Sequence, residues 1–132
     1  MNPFELVYKF NKEVIGLERY DVDQLAGSEQ EWLIGAIAEE LDELEVAYDK
    51  NDIPGQVDAL IDTIYFAIGG LVRLGLTQQQ AEKSFAVVHA ANMAKICGRK
   101  ARAVEHDLDA VKPADWNAPE LAIRAIIFGE RK

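Results

Sequence analysis

The stretch that decides the fold is VDALIDTIYFAIGGLV, residues 57–72. Asp58 and Asp62 are its only charged residues. The run predicts a helix, and a helix that is apolar all round is expected to be buried. Two carboxylates one turn apart repel each other, and burial makes this worse. No lysine or arginine lies three or four residues from either, so we expect a cation to compensate. The helix dipole is the alternative for Asp58 but explains Asp62 less well.

The same run raises the question of a membrane span. Each of its aspartates, and Arg73 beyond it, would cost roughly 2.5–3.5 kcal/mol near the centre of a bilayer. A core helix is therefore the better interpretation. The net charge of −9 argues against binding to nucleic acid or to an anionic membrane, which needs a basic face. We expect neither as a partner.

Helical spacing extends along most of the chain, and strand alternation is found nowhere. We predict an all-α bundle of four to five helices forming one domain over residues 1–132, with residues 98–132 as a C-terminal extension carrying a short helix. Ser28 as N-cap, followed by Glu31, predicts the start of the second helix. The predicted helices span residues 3–15, 28–50, 56–74, 77–96 and 119–128.

Three glutamates on the second predicted helix share a face, because Glu40 and Glu43 are three residues apart and Glu39 and Glu43 four. A solvated acidic face explains them equally well when they are taken alone. The short link to the third helix makes the two helices antiparallel neighbours. That pairing favours a joint site with Asp58 and Asp62.

Oxygen ligands without cysteine or histidine select Mg²⁺, with Mn²⁺ or Ca²⁺ as substitutes, over zinc. The acidic groups are numerous enough to hold more than one ion. Glu40, Glu43, Asp58 and Asp62 are the predicted metal ligands. Glu39 is the predicted catalytic residue, orienting a water molecule and taking its proton.

Four segments resemble a known family in the right order. EELDEL (39–44) is similar to the Glu-Glu-x-x-Glu-Leu motif of the MazG-like, all-α nucleotide pyrophosphohydrolases. DALIDTIY (58–65) resembles the second acidic motif of their small phage and bacterial branch. VHAANMAK (88–95) resembles its third motif, and KPADWNAPEL (112–121) its C-terminal segment.

The resemblance implies Mg²⁺ dependence and cleavage between the α and β phosphates of a nucleoside triphosphate. It also implies a homodimer or homotetramer whose active sites are often completed by a second subunit. By the same resemblance, Glu40, Glu43 and Asp62 bind metal, and Asn92 and Lys95 face the substrate. Ala59 stands where many relatives carry a glutamate, so Asp58 is expected to substitute as a ligand.

Trp32 and Tyr65 are the predicted base-stacking residues, although aromatic side chains at helical spacing usually belong to a core. Cations near a helix C-terminus are ordinary dipole complements. The remaining cations, histidines and cysteine are therefore interpreted as structural or surface residues: Arg99, Lys100, Arg102, His89, His106 and Cys97.

We therefore predict a (d)NTP pyrophosphatase that releases a nucleoside monophosphate and pyrophosphate. The resemblance makes a role in shaping a phage deoxynucleotide pool, such as dGTP to dGMP, one version of this function. Phosphoribosyl-ATP pyrophosphohydrolase and a non-catalytic helical interaction module are the alternatives. The single cysteine fits a reducing cytoplasm, which would be the host cytoplasm for a phage protein.

Overall fold

The computed structural model describes residues 1–99 and 108–129. This part of the chain contains five α-helices and one small antiparallel ribbon, which confirms the predicted all-α bundle. The chain divides into two compact units, Met1–Gln78 and Gln79–Lys132. The helices are α1 (Pro3–Phe10) with a following π-helical turn (Asn11–Ile15), α2 (Gly27–Asp49), α3 (Ile53–Arg73), α4 (Gln78–Met93) and α5 (Glu120–Phe128).

The pairing of α2 with α3 forms the body of the first unit. Their link is short, and Asp52 closes it as the N-cap of α3, since its Oδ1 accepts a hydrogen bond from the Gly55 amide at 3.0 Å. The two helices approach closely at Gly70. A Cβ added there would lie 2.8 Å from Cδ2 of Leu33, so a larger residue would require the Leu33 side chain to move.

The helix α1 packs against α3. Val7 is buried on its inner face, and Asn11 is buried one turn later. The Tyr8 hydroxyl donates a hydrogen bond to the Leu76 carbonyl at 2.8 Å. This bond holds the start of the chain against the turn that ends α3. Gly75 in that turn has φ +90°, and a Cβ there would collide with the Asp21 carbonyl.

The expectation that α3 is buried all round was wrong. Ala59, Ile68 and Val72 are buried against the neighbouring helices. Nearer the start of the helix, an apolar stripe of four residues at helical spacing is about half exposed: Val57, Leu60, Ile61 and Ile64. The long apolar run is therefore only partly covered by the part of the chain that the structure describes. By length and composition, α3 is also the one described helix that could cross a membrane.

Glu29 is the hub of an ion-pair network in the first unit. Both of its carboxylate oxygens accept hydrogen bonds from Arg19, and Oε2 also accepts one from Arg73 at 3.1 Å. Its Oε1 lies 3.4 Å from the amide of Ala26, the residue just before α2. Because the Glu29 side chain caps the helix by contacting the Ala26 amide, α2 begins at Gly27 and the predicted Ser28 cap was wrong. These bonds join both ends of the 16–26 loop to α2 and α3.

The second unit contains the feature that the sequence missed. Strand β1 (Ile96–Arg99) pairs antiparallel with β2 (Leu108–Val111), so the prediction that strands are absent was wrong. Helix α4 accordingly ends at Met93 and not at residue 96. A Cβ on Gly98 would lie 2.8 Å from Cγ2 of Val111. The ribbon depends on this close approach of its two strands. The segment has no alternating apolar pattern, so the sequence does not predict a strand there.

We expect Glu29→Gln to make the protein less stable at neutral pH and less sensitive to acid. The two arginines lower the pKa of Glu29 from 4.5 to about 2. The stabilisation is therefore complete above pH 4.5 and is lost as the pH falls toward 2. Urea unfolding at pH 7 should show a loss of about 1 kcal/mol.

Glu31→Gln is the matched control, because Glu31 is an exposed glutamate two residues further along the same helix. It should leave the free energy of unfolding unchanged at both pH 7 and pH 3. Equal stability of the two variants at pH 7 would show that the Glu29 network does not stabilise the fold.

Candidate metal centre

The acidic site is built by side chains from the two paired helices. Glu40 and Glu43 stand on α2, and Asp58 and Asp62 stand on α3. Burial raises the pKa of Glu40, and the Glu43 carboxylate raises it further by sharing a proton and by repulsion, with additions from Asp62 and Asp58. Burial also raises the pKa of Asp62, with repulsion from Asp58 and Glu43. The α2–α3 pairing thus brings all four predicted ligands within electrostatic reach.

Within this cluster, Glu40 is the residue with a buried carboxylate oxygen that lacks a hydrogen bond. Its Oε2 atom is buried and has no hydrogen-bond partner among the described residues. The ion pairs that Glu29 makes with Arg19 and Arg73 do not extend to the acidic cluster. A buried carboxylate oxygen without a partner costs free energy that the fold must offset elsewhere. Such a group is unusual unless a ligand completes it.

The residues present fit a divalent cation. The donors are all carboxylate oxygens, which are the ligands that Mg²⁺ and Ca²⁺ prefer. In the described rotamers, no three acidic, histidine or cysteine groups already converge on one point. Glu43 and Asp58 are exposed, and exposed side chains change rotamer within nanoseconds. The exposed side chains of Glu43 and Asp58 can therefore turn toward the partly buried pair, Glu40 and Asp62.

The two aspartates of α3, which the sequence analysis considered as a pair, differ in their exposure to solvent. Asp62 is partly buried, whereas Asp58 is exposed. Partial burial, which favours a compensating cation, is therefore found at Asp62 and at Glu40 but not at Asp58. Glu39 is exposed on α2 beside Glu40, and its catalytic role stays a prediction.

A second feature of the same unit is an aromatic pocket of about 170 Å³. The two predicted base-stacking residues, Trp32 and Tyr65, both line it. Tyr65 meets Phe10 edge to face, with ring centroids 5.3 Å apart, and Trp32 meets Phe66 in the same way at 5.9 Å. Two edge-to-face pairs from three different helices thus form the walls.

The pocket and the acids lie on one continuous face of α3. Asp58, Asp62, Tyr65 and Gly69 follow each other at intervals of three or four residues, which is one stripe of a helix. Gly69 lies about 10 Å along the axis from Asp62, at 1.5 Å per residue. This separation is one that a nucleoside can bridge between its base and its phosphates. The acidic cluster and the aromatic pocket therefore lie about 10 Å apart on the same face of α3.

Sequence reasoning missed Phe10, Asn11 and Phe66, which also line this pocket. Asn11 carried a usable signal. It lies four residues after the buried Val7, so a polar amide interrupts the apolar face of the first helix. A π-helical turn begins at this residue, and such turns often occur at functional sites.

The predicted substrate residues Asn92 and Lys95 belong to the second unit. Asn92 is exposed at the end of α4. The Lys95 ammonium lies 5.2 Å from the centroid of the Trp116 ring, and Lys112 lies 4.8 Å from it. The Trp116 indole donates a hydrogen bond to the Ala91 carbonyl at 2.6 Å, which closes the end of α4. Lys100, Arg102 and His106 fall outside the described residues.

Comparison with known proteins supports the same interpretation. A family model described as phosphoribosyl-ATP pyrophosphohydrolase matches residues 20–92, which is more than half of the chain. This family is part of the MazG-like superfamily, so the resemblance drawn from the four motifs is confirmed at that level. The match supports a nucleotide pyrophosphohydrolase type of activity. A search of curated proteins gave no match.

We expect Mg²⁺ to stabilise the protein more at pH 8 than at pH 5. Because the pKa values of Glu40 and Asp62 are raised in the folded state, the metal-free protein loses stability as the pH rises through them. A cation restores that loss by binding the deprotonated carboxylates. At about 100 times its dissociation constant it should add about 2.7 kcal/mol, measured by thermal unfolding in Mg²⁺ and in EDTA.

Glu40→Gln should raise the melting temperature of the EDTA-treated protein at pH 8 and abolish the effect of Mg²⁺. Glu45→Gln is the control, since Glu45 is exposed on the same helix, and it should respond to Mg²⁺ like the wild type. If Glu40→Gln retains the full Mg²⁺ response, the cluster is not the metal centre.

Proposed function

This chain belongs to the phosphoribosyl-ATP pyrophosphohydrolase family, and we propose that it hydrolyses a nucleoside triphosphate with Mg²⁺ between the α and β phosphates. The products are a nucleoside monophosphate and pyrophosphate. The observation that carries the proposal is the buried, unpartnered Glu40 oxygen beside Asp62. All five predicted acidic residues fall inside the matched segment, residues 20–92.

The proposed metal ligands are Glu40 and Asp62 as the partly buried pair, with the exposed Glu43 and Asp58 closing around them. Mg²⁺ held by these residues would neutralise the phosphates and polarise the phosphorus–oxygen bond that breaks. The four carboxylates would also fix where the triphosphate lies, because bound cations can stand between them and the phosphates. More than one ion per site fits this number of carboxylates.

Glu39 is the proposed general base. Its carboxylate takes a proton from a water molecule, whose oxygen forms a bond to the α-phosphorus. The bond from the α-phosphorus to the bridging oxygen breaks, and pyrophosphate leaves with that oxygen. Exposure suits this role, because a carboxylate in contact with solvent can return its proton after each turnover.

The base and the sugar of the substrate are not specified by these acidic residues. Trp32 and Tyr65 are the proposed contacts to the base, and Asn92 and Lys95 are proposed contacts to the substrate. A role in shaping a phage deoxynucleotide pool remains a proposal that rests on the motif resemblance alone. An enzyme with this role should hydrolyse deoxynucleotides in preference to ribonucleotides.

Phosphoribosyl-ATP is the second candidate substrate, and the description of the matching family favours it. Its bond to be cleaved has the same chemistry, so the acidic cluster would serve both substrates equally. The two candidates separate in a substrate panel. Turnover of phosphoribosyl-ATP well above that of every nucleoside triphosphate would select the second one.

A homodimer is the proposed assembly, with the exposed α3 stripe of Val57, Leu60, Ile61 and Ile64 as its contact surface. Four apolar side chains at helical spacing that are about half exposed or more form a seam of the kind that packs against another helix. A second copy supplies the same seam, and isologous contact is the usual form of a dimer.

We expect Glu39→Gln to lower kcat by about 10²–10⁴-fold, the range for loss of a general base, with little change in Mg²⁺ affinity. Asp62→Asn should also lose activity, but through loss of the metal. The measurement is release of pyrophosphate and monophosphate from each common NTP and dNTP with Mg²⁺. Asp42→Asn is the control, since Asp42 is exposed nearby on α2, and it should keep wild-type kinetics.

The enzyme proposal fails if the wild-type protein turns over no nucleotide at high concentration with either Mg²⁺ or Mn²⁺. The role of Glu39 alone fails if its glutamine variant keeps wild-type kcat. These outcomes are separate, because the second leaves the metal centre intact.

We expect Ile64→Glu to convert the protein to a monomer in light scattering after size exclusion. A charge at the centre of the apolar stripe would have to be buried without a partner in a dimer. Val14→Glu is the control, because Val14 is an exposed apolar residue on a different helix. A wild-type protein that is monomeric at micromolar concentration would contradict the proposed contact surface.

A further inference from the structure

We propose that Glu29 and Arg73 are positioning residues for substrate binding, because together they hold the Trp32 ring in a fixed orientation at the aromatic pocket. The inference rests on the proposed function, in which Trp32 contacts the base. It adds two residues that act through the indole and not on the metal or the phosphates. The ion-pair network of the first unit then serves substrate binding as well as stability.

The Arg73 side chain lies between this network and the pocket. Its guanidinium carbon is 4.5 Å from the centroid of the Trp32 ring, and its Nη1 donates a hydrogen bond to Oε2 of Glu29 at 3.1 Å. The side chain is 18% exposed, and Arg73 and Trp32 both line the aromatic pocket. Because the guanidinium group is planar, an arginine can stack on an aromatic face and pair with a carboxylate at the same time.

Glu29 is in turn fixed by groups other than Arg73. Arg19 donates to both of its carboxylate oxygens, and the Ala26 amide lies 3.4 Å from Oε1. Hydrogen bonds from Arg19 and then from Arg73 hold the pKa of Glu29 at about 2, so the carboxylate is charged near neutral pH. Arg19 also donates to the backbone carbonyl of Arg73 at 2.7 Å. Arg73 is therefore anchored both at its backbone and at its guanidinium group.

The orientation of the Trp32 indole depends on this arrangement because about half of the side chain faces solvent. Trp32 is 49% exposed, and it lies three residues after Glu29 on α2, which places both side chains on one face. Phe66 meets the ring edge to face at 5.9 Å, and Arg73 lies over the ring itself. Removal of the guanidinium group uncovers this part of the ring, and exposed side chains change rotamer readily.

An indole that is already ordered favours binding, because the substrate then does not lose free energy in ordering it. The contact is remote from the phosphorus that reacts, so it stabilises the bound substrate and the transition state about equally. Loss of such a contact raises KM and leaves kcat nearly unchanged. A purely structural role for the network predicts a different result, namely lower stability with an unchanged KM.

The first test is Arg73→Lys, which keeps the positive charge but replaces the planar guanidinium group with an ammonium group. Lysine can pair with Glu29 but cannot at the same time stack flat on the indole. We expect KM for the best nucleotide substrate to rise about 10-fold, within the range of one base-stacking contact, with kcat within about twofold. The free energy of unfolding in urea should stay close to that of the wild type, because the ion pair is kept.

Arg124→Lys is the matched control, because the Arg124 guanidinium carbon also lies over an aromatic ring, 5.5 Å from the centroid of Phe128. Arg124 is exposed and belongs to the second unit, so its variant should keep the wild-type KM. An unchanged KM in Arg73→Lys would overturn the inference, and so would an equal rise of KM in the two variants.

The role of Glu29 is tested by combining variants. We expect Glu29→Gln and Arg73→Gln each to raise KM, and the double variant to raise it no further than Arg73→Gln, because both act on the same ring. The assays are made below the unfolding transition of each variant, measured by circular dichroism, so that loss of folded protein does not contribute. Effects that multiply in the double variant would show that Glu29 does not act through Arg73.

A spectroscopic measurement follows the indole itself and needs no turnover. The chain has two tryptophans, Trp32 and Trp116, so its NMR spectrum contains two indole N–H signals, and Trp32→Phe identifies the first. We expect Arg73→Lys and Glu29→Gln to shift and broaden the Trp32 signal, while the Trp116 signal stays unchanged as the internal control. An unchanged Trp32 signal in both variants would overturn the inference.

Failure of the proposed function gives a different set of results. If the wild-type protein hydrolyses no nucleotide, the proposed function fails, and the dissociation constant for the nucleotide, measured by calorimetry, takes the place of KM beside the NMR signals. If the protein hydrolyses nucleotides and KM is the same in the wild type and in Arg73→Lys, the inference fails and the proposed function stands.

Discussion

The antiparallel pairing of α2 with α3 is the constraint on which the rest of the site depends. It is held by the short turn capped by Asp52 and by the close approach of Leu33 to Gly70. Because the helices run in opposite directions at fixed register, residues at similar distances from the turn on the two helices meet each other. Glu40 and Asp62 are neighbours for this reason, and so are Trp32 and Phe66.

This register also creates an opposition between stability and function. Each carboxylate added near Glu40 raises the free energy of the metal-free fold, as the raised pKa values of Glu40 and Asp62 show. Elsewhere in the same unit, opposite charges are paired closely, with Glu29 between two arginines. This contrast between paired and unpaired charges supports the proposal that the acidic cluster binds a cation.

The sequence predicted the helices, their order and the acidic cluster well, because apolar spacing and the turn around Asp52 are local signals. It failed where a property depends on neighbours. The apolar run of α3 resembles a fully buried helix, yet Leu60 and Ile64 face outward, and periodicity does not reveal which apolar faces the chain itself covers. The ribbon at Gly98 and the pocket amide of Asn11 depend on contacts between distant segments, which no local pattern contains. The Ser28 cap was displaced by Glu29 for the same reason.

The central claim is that Glu40 and Asp62 hold a divalent cation between α2 and α3. The most direct measurement is anomalous diffraction at the manganese edge from crystals grown with Mn²⁺, which substitutes for Mg²⁺ at carboxylate sites. We expect an anomalous peak within coordinating distance, about 2.0–2.6 Å, of both carboxylates. Mn²⁺ bound only at other acidic residues, with Glu40 still buried and without a partner, would contradict it.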